Sequence, residues 1–280
     1  MSFNRPLLLN ATIEAMYKNP GAKFNLIMWD NGSDKETQDL ELKLQKKYKF
    51  LLYVNKENIG HQAIYQLFQM VGTEYTVFAE DDFLYFSDNW LGELESSMEQ
   101  KFKVISPKPF KERFGIVAAN CVCDKVCNGA LWKECFKSMQ EYGKYLAKVI
   151  AAGLFILRTI EAHEMNAVTM IPEKFGNVID IILEIYNRNY YFNAYLKDTY
   201  IYHANSPYWN IYAKEWSEKQ SYSIKKGYSI WKRKANFDFT DPEPMDRFLK
   251  GDFDKYCLER VSNYKDIYSF QYNSKIKKQF

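Results

Sequence analysis

Apolar residues occur along this chain in short dense runs, each closed by a polar cluster. Phe24 to Trp29 is nearly continuous and ends in Asp30-Asn31-Gly32-Ser33. A run of this length bounded by turn residues predicts a strand buried on both faces. Ser33 followed by Glu36 reads as a capping box and predicts a helix from about Asp34 to Tyr48. Phe50 to Val54 is a second strand. Asn58-Ile59-Gly60 then turns into a helix through Met70, and Tyr75 to Ala79 is a third strand that runs straight into Glu80-Asp81-Asp82. Strand, helix, strand, helix, strand implies a parallel sheet with right-handed crossovers.

Farther along, Leu91, Leu94 and Met98 share a helix face after Asp88, and Phe114 to Ala119 reads as a strand. Trp132 to Ile150 reads as helical and Gly153 to Leu157 as a strand. Val178, Ile181, Ile182 and Ile185 fit one helix stripe. Tyr190 to Tyr195 and Thr199 to Tyr202 read as short strands ending at His203. An aromatic, basic stretch and a helical C-terminal extension follow. The expectation is an α/β fold, Rossmann-like, with a mostly parallel central sheet flanked by helices.

That order has a consequence for function. Asp30-Asn31, Asn58 to Gly60 and Glu80 to Asp82 all fall at strand carboxyl ends or in the loops beside them. In open α/β sheets ligands bind at that edge. Three acids directly after a buried strand also suit a hard divalent cation, which prefers carboxylate oxygens and keeps positions for phosphate and water. The plainer alternatives are that Glu80 to Asp82 caps a turn, and that Asp30-Asn31-Gly32-Ser33 is turn chemistry.

Composition narrows the classes. The chain has 280 residues, 47% hydrophobic and 26% charged, which is globular usage rather than disordered usage. A formal net charge of +3 does not suggest a nucleic-acid binder. Lysines and arginine do cluster at Lys225, Lys226, Lys232, Arg233 and Lys234, and again at Lys275, Lys277 and Lys278. These read as a solvated basic surface, with contact to phosphates or an anionic membrane face as the sharper alternative. The most apolar run, Val149 to Leu157, is well short of the ~20 residues a membrane helix needs. Cys121, Cys123 and Cys127 match no standard zinc spacing, so the five cysteines read as reduced thiols of a cytoplasmic protein, peripheral at most to a membrane.

Asn4-Arg5-Pro6, Asp30-Asn31-Gly32-Ser33, Asn58-Ile59-Gly60 and Glu80-Asp81-Asp82, in this order and spacing, resemble the family 2-like glycosyltransferases of the GT-A fold. The likeness covers roughly the first hundred residues. It continues more weakly from Gly153 to His203, where the family has a strand, an acid-bearing helix and a late histidine. The resemblance implies a GT-A catalytic domain over 1–205, with a nucleotide-sugar half to about 100 and an acceptor half from 101, and an extension over 206–280 packed on it.

It also implies roles. Asp30 would hydrogen-bond the nucleobase; Asn31, Asn58 and Gly60 would line the nucleotide pocket; Asp81 would sit near the ribose or diphosphate. Glu80, Asp82 and His203 would hold Mn²⁺ or Mg²⁺, with Glu80 replacing the first acid of the usual Asp-x-Asp motif. Asp180 would be the general base of an inverting transfer, with Glu184 in reserve. The donor would be a nucleoside-diphosphate sugar, a UDP-sugar favoured, and the acceptor a glycan or lipid-linked hydroxyl.

The sequence departs from the family in three places. The chain opens at Met1-Ser2-Phe3, where the family has an apolar strand before the Asn-Arg-Pro stretch. Ala63-Ile64-Tyr65 stands where Ala-Arg-Asn is common, so a diphosphate contact from that arginine is absent or supplied elsewhere. The acidic pair for the base is reduced to single acids. Two other enzyme classes fit less well. A sugar-phosphate nucleotidyltransferase would carry a glycine-rich basic loop after the first strand, and a dehydrogenase a Gly-x-Gly-x-x-Gly. A degenerate GT-A-like binder is the non-enzymatic alternative. Trp132, Trp209, Trp216 and Trp231 are candidate sugar platforms or core residues.

Overall fold

The computed structural model describes residues 1–102, 109–123, 140–142, 145–147, 153–170, 178–204 and 243–259. The four tryptophans and the basic clusters just named lie outside them. The elements are α1 (Pro6–Lys18), β1 (Ile27–Asp30), α2 (Lys35–Tyr48), β2 (Leu51–Val54), α3 (Gln62–Gln69), β3 (Tyr75–Phe78), β4 (Phe83–Phe86) and α4 (Trp90–Met98). They continue with β5 (Phe114–Cys123), β6 (Gln140–Tyr142), β7 (Tyr145–Ala147), β8 (Phe155–Arg158), α5 (Thr159–Glu164), α6 (Val178–Arg188), β9 (Phe192–His203) and α7 (Glu243–Leu249). A last helix, α8, covers 253–259.

The α/β architecture is the expected one. The direction of the strands is not mostly parallel. β1 and β2 pair in parallel, with Ile27 opposite Leu51 and Asp30 opposite Val54. In the seven-stranded sheet, order β3-β8-β5-β9-β7-β6 with β4 also on β9, only β5 and β9 pair in parallel. β8 lies antiparallel between β3 and β5, and β4 and β7 lie antiparallel on β9. An apolar run carries no sign of direction, and burial on both faces does not follow from it either: β1 alternates half-buried and buried residues, and Leu51, Tyr53 and Val54 of β2 are exposed.

Both faces of this sheet are covered. On β5 and β8 alternate residues divide between two cores, as a strand's two-residue period requires. Ile116, Ala118, Phe155 and Leu157 face α6 through Val178, Ile182, Leu183 and Tyr186. Val117, Ala119, Leu154 and Ile156 face α4 through Trp90, Leu91, Leu94 and Met98. The buried stripe of α6 is therefore Val178, Ile182, Leu183 and Tyr186, while Ile181 and Ile185 are only half-buried. α1 supplies Leu9 and Ile13 to a third core with Met28, Leu44 and Phe50. α8 adds Phe253, Tyr256 and Cys257 beneath Tyr200 and Tyr202 of β9.

Other local expectations need correction. The cap of α2 is Asp34, whose side chain accepts from Thr37 N, rather than Ser33. The stretch read as one helix from Trp132 to Ile150 contains the short strands β6 and β7, and its remainder lies outside the described residues. The two strands read at Tyr190 and Thr199 are one, β9, with a register shift between its halves. β4 went unread altogether. Among the described residues no helix is long and apolar enough to cross a membrane, and Cys257 is a buried cysteine outside any disulfide.

Candidate active site

Polar residues gather at the carboxyl ends of β1, β2 and β3 in two assemblies. In the first, Asn31 is fully buried and acts as a cross-brace. Its Oδ1 accepts from Ile59 N at 2.9 Å, and its Nδ2 donates to Asn58 Oδ1 at 3.0 Å and Gly60 O at 3.2 Å. Asn58 Oδ1 also accepts from Gly60 N, and Gly60 sits at φ +61°. Asp30 is equally buried: one carboxylate oxygen accepts from Ser33 N at 2.9 Å, the other from Gln38 Nε2 at 3.0 Å. Gly32, at φ +81°, lets this turn pass the Glu57 backbone, where a Cβ would come to 2.8 Å from the Glu57 carbonyl carbon. Asn31, Asn58 and Gly60 are thus bonded to one another, while Asp30 beside them spends its carboxylate on Ser33 and Gln38.

The second assembly carries charge. Glu80, Asp81 and Asp82 follow β3, and β4 then turns the chain back along β9, setting Phe83 opposite His203. Ala204 N donates to Asp82 O, which fastens the acid loop to the end of β9. His203 Nε2 consequently lies 3.2 Å from Asp82 Oδ1 and 3.3 Å from Glu80 Oε2. From the other side Arg5 places Nη1 2.8 Å from Asp82 Oδ2 and Nη2 2.7 Å from Asp81 Oδ1. Asp81 and Asp82 are both buried.

Burial alone would depress the imidazolium of His203, but the facing carboxylates, Asp82 foremost and then Glu80, outweigh it and hold the pKa up at about 10. Burial would conversely raise Asp82; the charges of His203 and Arg5 overcome this and keep its carboxyl far below the usual range. Behind them Glu41 is buried, accepts from Ser2 Oγ at 2.6 Å, and burial pushes its carboxyl up to about 7.

The donor set fits a divalent cation. Glu80, Asp82 and His203 offer two carboxylate oxygens and an imidazole nitrogen, all within 4.8 Å of one another. Asp82 Oδ1 is buried and faces the His203 imidazole. Oxygen-rich sets with one imidazole suit Mn²⁺ well and Mg²⁺ acceptably. A bound cation would replace the proton on His203.

Arg5, His61, Glu80, Asp81 and His203 line one cleft of ≈ 1240 Å³, which Val178 and Ile179 at the start of α6 also reach. Asp180 follows those two on α6. Glu184, one turn on, is exposed and pairs with Arg188. Sequence reasoning left Arg5 and Glu41 without a role. Arg5 carried a signal, since it sits inside Asn4-Arg5-Pro6; Glu41 carried none beyond an acid on a helix face.

The comparisons agree with this geometry. Residues 1–117 match the model for glycosyl transferase family 2. No curated protein sequence matches the chain. Residues 1–349 of S. aureus TarS are similar in structure at 14% identity and a TM-score of 0.56, over 74% of this chain and 59% of that one. The mannosyltransferase PcManGT from Pyrobaculum calidifontis, in complex with GDP-Man and Mn²⁺, is similar at 12% identity and 0.53, over 72% and 55%. The chain therefore spans less than two thirds of either structure, and at these identities the likeness is one of fold. The family match covers the stretch that bears the acid cluster, and the structural likeness is to glycosyltransferase folds.

Proposed function

We propose that the protein transfers a sugar from a nucleoside-diphosphate donor, a UDP-sugar in first place, to a hydroxyl of a glycan or lipid-linked acceptor, with inversion and with Mn²⁺ or Mg²⁺. The observation that carries this reading is the meeting of Glu80, Asp82 and His203 at the carboxyl end of β3. A diphosphate leaves with its negative charge growing, and a divalent cation held by these three residues supplies the charge that stabilises it. The glycosyl transferase family 2 match over residues 1–117 and a structural relative in complex with GDP-Man and Mn²⁺ support the same chemistry.

The remaining residues have work that follows from their surroundings. Asp30, Asn31, Asn58 and Gly60 form the wall for the nucleoside, with Asp81 toward the ribose or diphosphate. Inversion needs a base on the face of the sugar opposite the departing phosphate. Asp180 is the choice for it, because the residues just before it on α6 reach the cleft; Glu184 is exposed and engaged by Arg188.

A panel of UDP-, GDP- and dTDP-sugars, assayed for hydrolysis and transfer with Mn²⁺ and again with EDTA, tests the proposal. Turnover of one donor class that EDTA abolishes is the expected result. Full activity in EDTA would remove the metal from the account, and binding without any turnover would make the protein a degenerate binder.

A further inference from the structure

β1 and β3 are short strands, each laddered along one side alone. Among the described residues β1 pairs with β2 and β3 with β8, and the two sheets share no strand. Alternation along a strand shows which backbone groups remain. Leu26 O and Asp30 O accept from Leu51 N and Asn55 N, so Ile27 and Trp29 turn their N–H and C=O to the other side. Glu74 O accepts from Thr159 N, so Thr76 and Phe78 face β8 while the N–H and C=O of Val77 face away from it.

Both open edges border the ≈ 1240 Å³ cleft, which Ile27 and Val77 line. Its walls are apolar. On one side stands α1, whose Met16 joins the core under Val117 and Ala119; on the other stands α3, whose Phe68 joins the core under Ile116 and Ala118. Those two cores cover opposite faces of the seven-stranded sheet, so the cleft lies in the layer of the sheet itself.

One residue already shows what fits there. Ser2 forms a parallel bridge with Asp30: its N–H donates to Trp29 O and its C=O accepts from Asn31 N, each at 2.9 Å. The same ladder, continued two residues back along β1, would use Ile27 O and Trp29 N. An alkyl chain could fill the volume, but it would leave these peptide groups without partners; another backbone satisfies them. Apolar walls on both faces call for apolar side chains in the strand between them.

We propose that the cleft between β1 and β3 is a strand-binding slot for an extended apolar polypeptide segment, parallel to β1 with its carboxyl end toward Ser2, which joins the two sheets. Strand addition of this kind draws its affinity from backbone hydrogen bonds and its selectivity from the side-chain walls. The inference stands apart from the transfer chemistry.

The test is residue-resolved hydrogen exchange on the full chain with three probes. The first is an acetylated peptide of alternating valines and isoleucines, with two lysines at its amino end for solubility. The second is that peptide with its central residue replaced by proline, which removes a ladder donor. The third is dodecyl maltoside below its micelle concentration. The first is expected to slow exchange at Ile27, Trp29 and Val77 by ~10-fold or more, and the other two to change it by less than ~2-fold. Leu67→Lys sets a charge in the α3 wall and should abolish the protection.

No protection from the first peptide would overturn the proposal. Equal protection from the detergent would make the cleft an alkyl-chain site instead. Protection confined to Leu51 to Val54 would move strand addition to the outer edge of β2, and undiminished protection in Leu67→Lys would place the peptide elsewhere; either defeats the slot. Should Leu67→Lys fail to fold, the three probes on the wild type decide.

Discussion

The two polar assemblies lie along one edge of the fold and were equally conspicuous in sequence, yet they are built on opposite principles. Around Asn31 the side chain meets Ile59, Asn58 and Gly60 from neighbouring loops, and those bonds are neutral. Around Asp82 the contacts are ionic, and two pKa values are driven far from their ordinary range. The first arrangement gains stability and rigidity from being closed on itself. The second holds unbalanced charge in a cleft, which is worthwhile only where a ligand brings the counter-charge. A polar cluster at a strand end is therefore not a reactive site by position alone; concentrated buried charge separates the two.

Substitutions can break that contrast. Asp82→Asn keeps the shape and removes the charge, so turnover should fall roughly 10³-fold with the metal requirement lost. Retention of metal-dependent turnover would detach Asp82 from the chemistry. Asp180→Asn should lower transfer by ~10² while sparing donor binding, measured as kcat against the nucleotide dissociation constant. Near wild-type turnover would move the base to Glu184 or to a retaining mechanism.

Asn31→Ala should behave in the opposite way from Asp82→Asn. Buried partners at Ile59, Asn58 and Gly60 are orphaned, costing ~2–4 kcal/mol in denaturant melts. Metal binding at Asp82 should change little. A large loss of Mn²⁺ affinity in that variant would show that the two assemblies are one.

Glu41 gives the smallest effect and a definite sign. Its folded pKa of about 7 lies above the ordinary 4.5, so the folded protein keeps a proton that the unfolded chain releases. Its contribution to stability is fully present below about 4.5, is lost as the pH rises toward about 7, and does not return above it. Glu41→Gln should change little at pH ~5 and stabilise at pH ~8 by about 1–2 kcal/mol in chemical denaturation. Equal effects at both pH values would contradict a buried, neutral-preferring Glu41.

Legibility in the sequence follows the same physics. Strands β1, β2 and β3 were readable because each is an apolar run closed by turn or acidic residues, and only their ends shifted by a residue or more. Strand direction was not, because a strand buried on both faces has the same composition whichever way it runs. β4 was hidden because Phe83-Leu84-Tyr85-Phe86 is short, lacks alternation and follows the acids without a break. That omission matters, since β4 brings His203 against Asp82. Glu80, Asp82 and His203 were nevertheless named, two from their place after a strand and the third through family likeness. Arg5 belongs to no periodic pattern, and only the fold shows where its side chain points.

The central claim is a metal-assisted diphosphate site at Glu80, Asp82 and His203. Titrating UDP, GDP and dTDP into the wild-type protein, first with Mn²⁺ and then in EDTA, tests it most directly. The account predicts that one nucleoside diphosphate binds with Mn²⁺ and weakens ~100-fold or more when the metal is removed. Binding indifferent to EDTA, or no binding of any of the three with Mn²⁺ present, would contradict it.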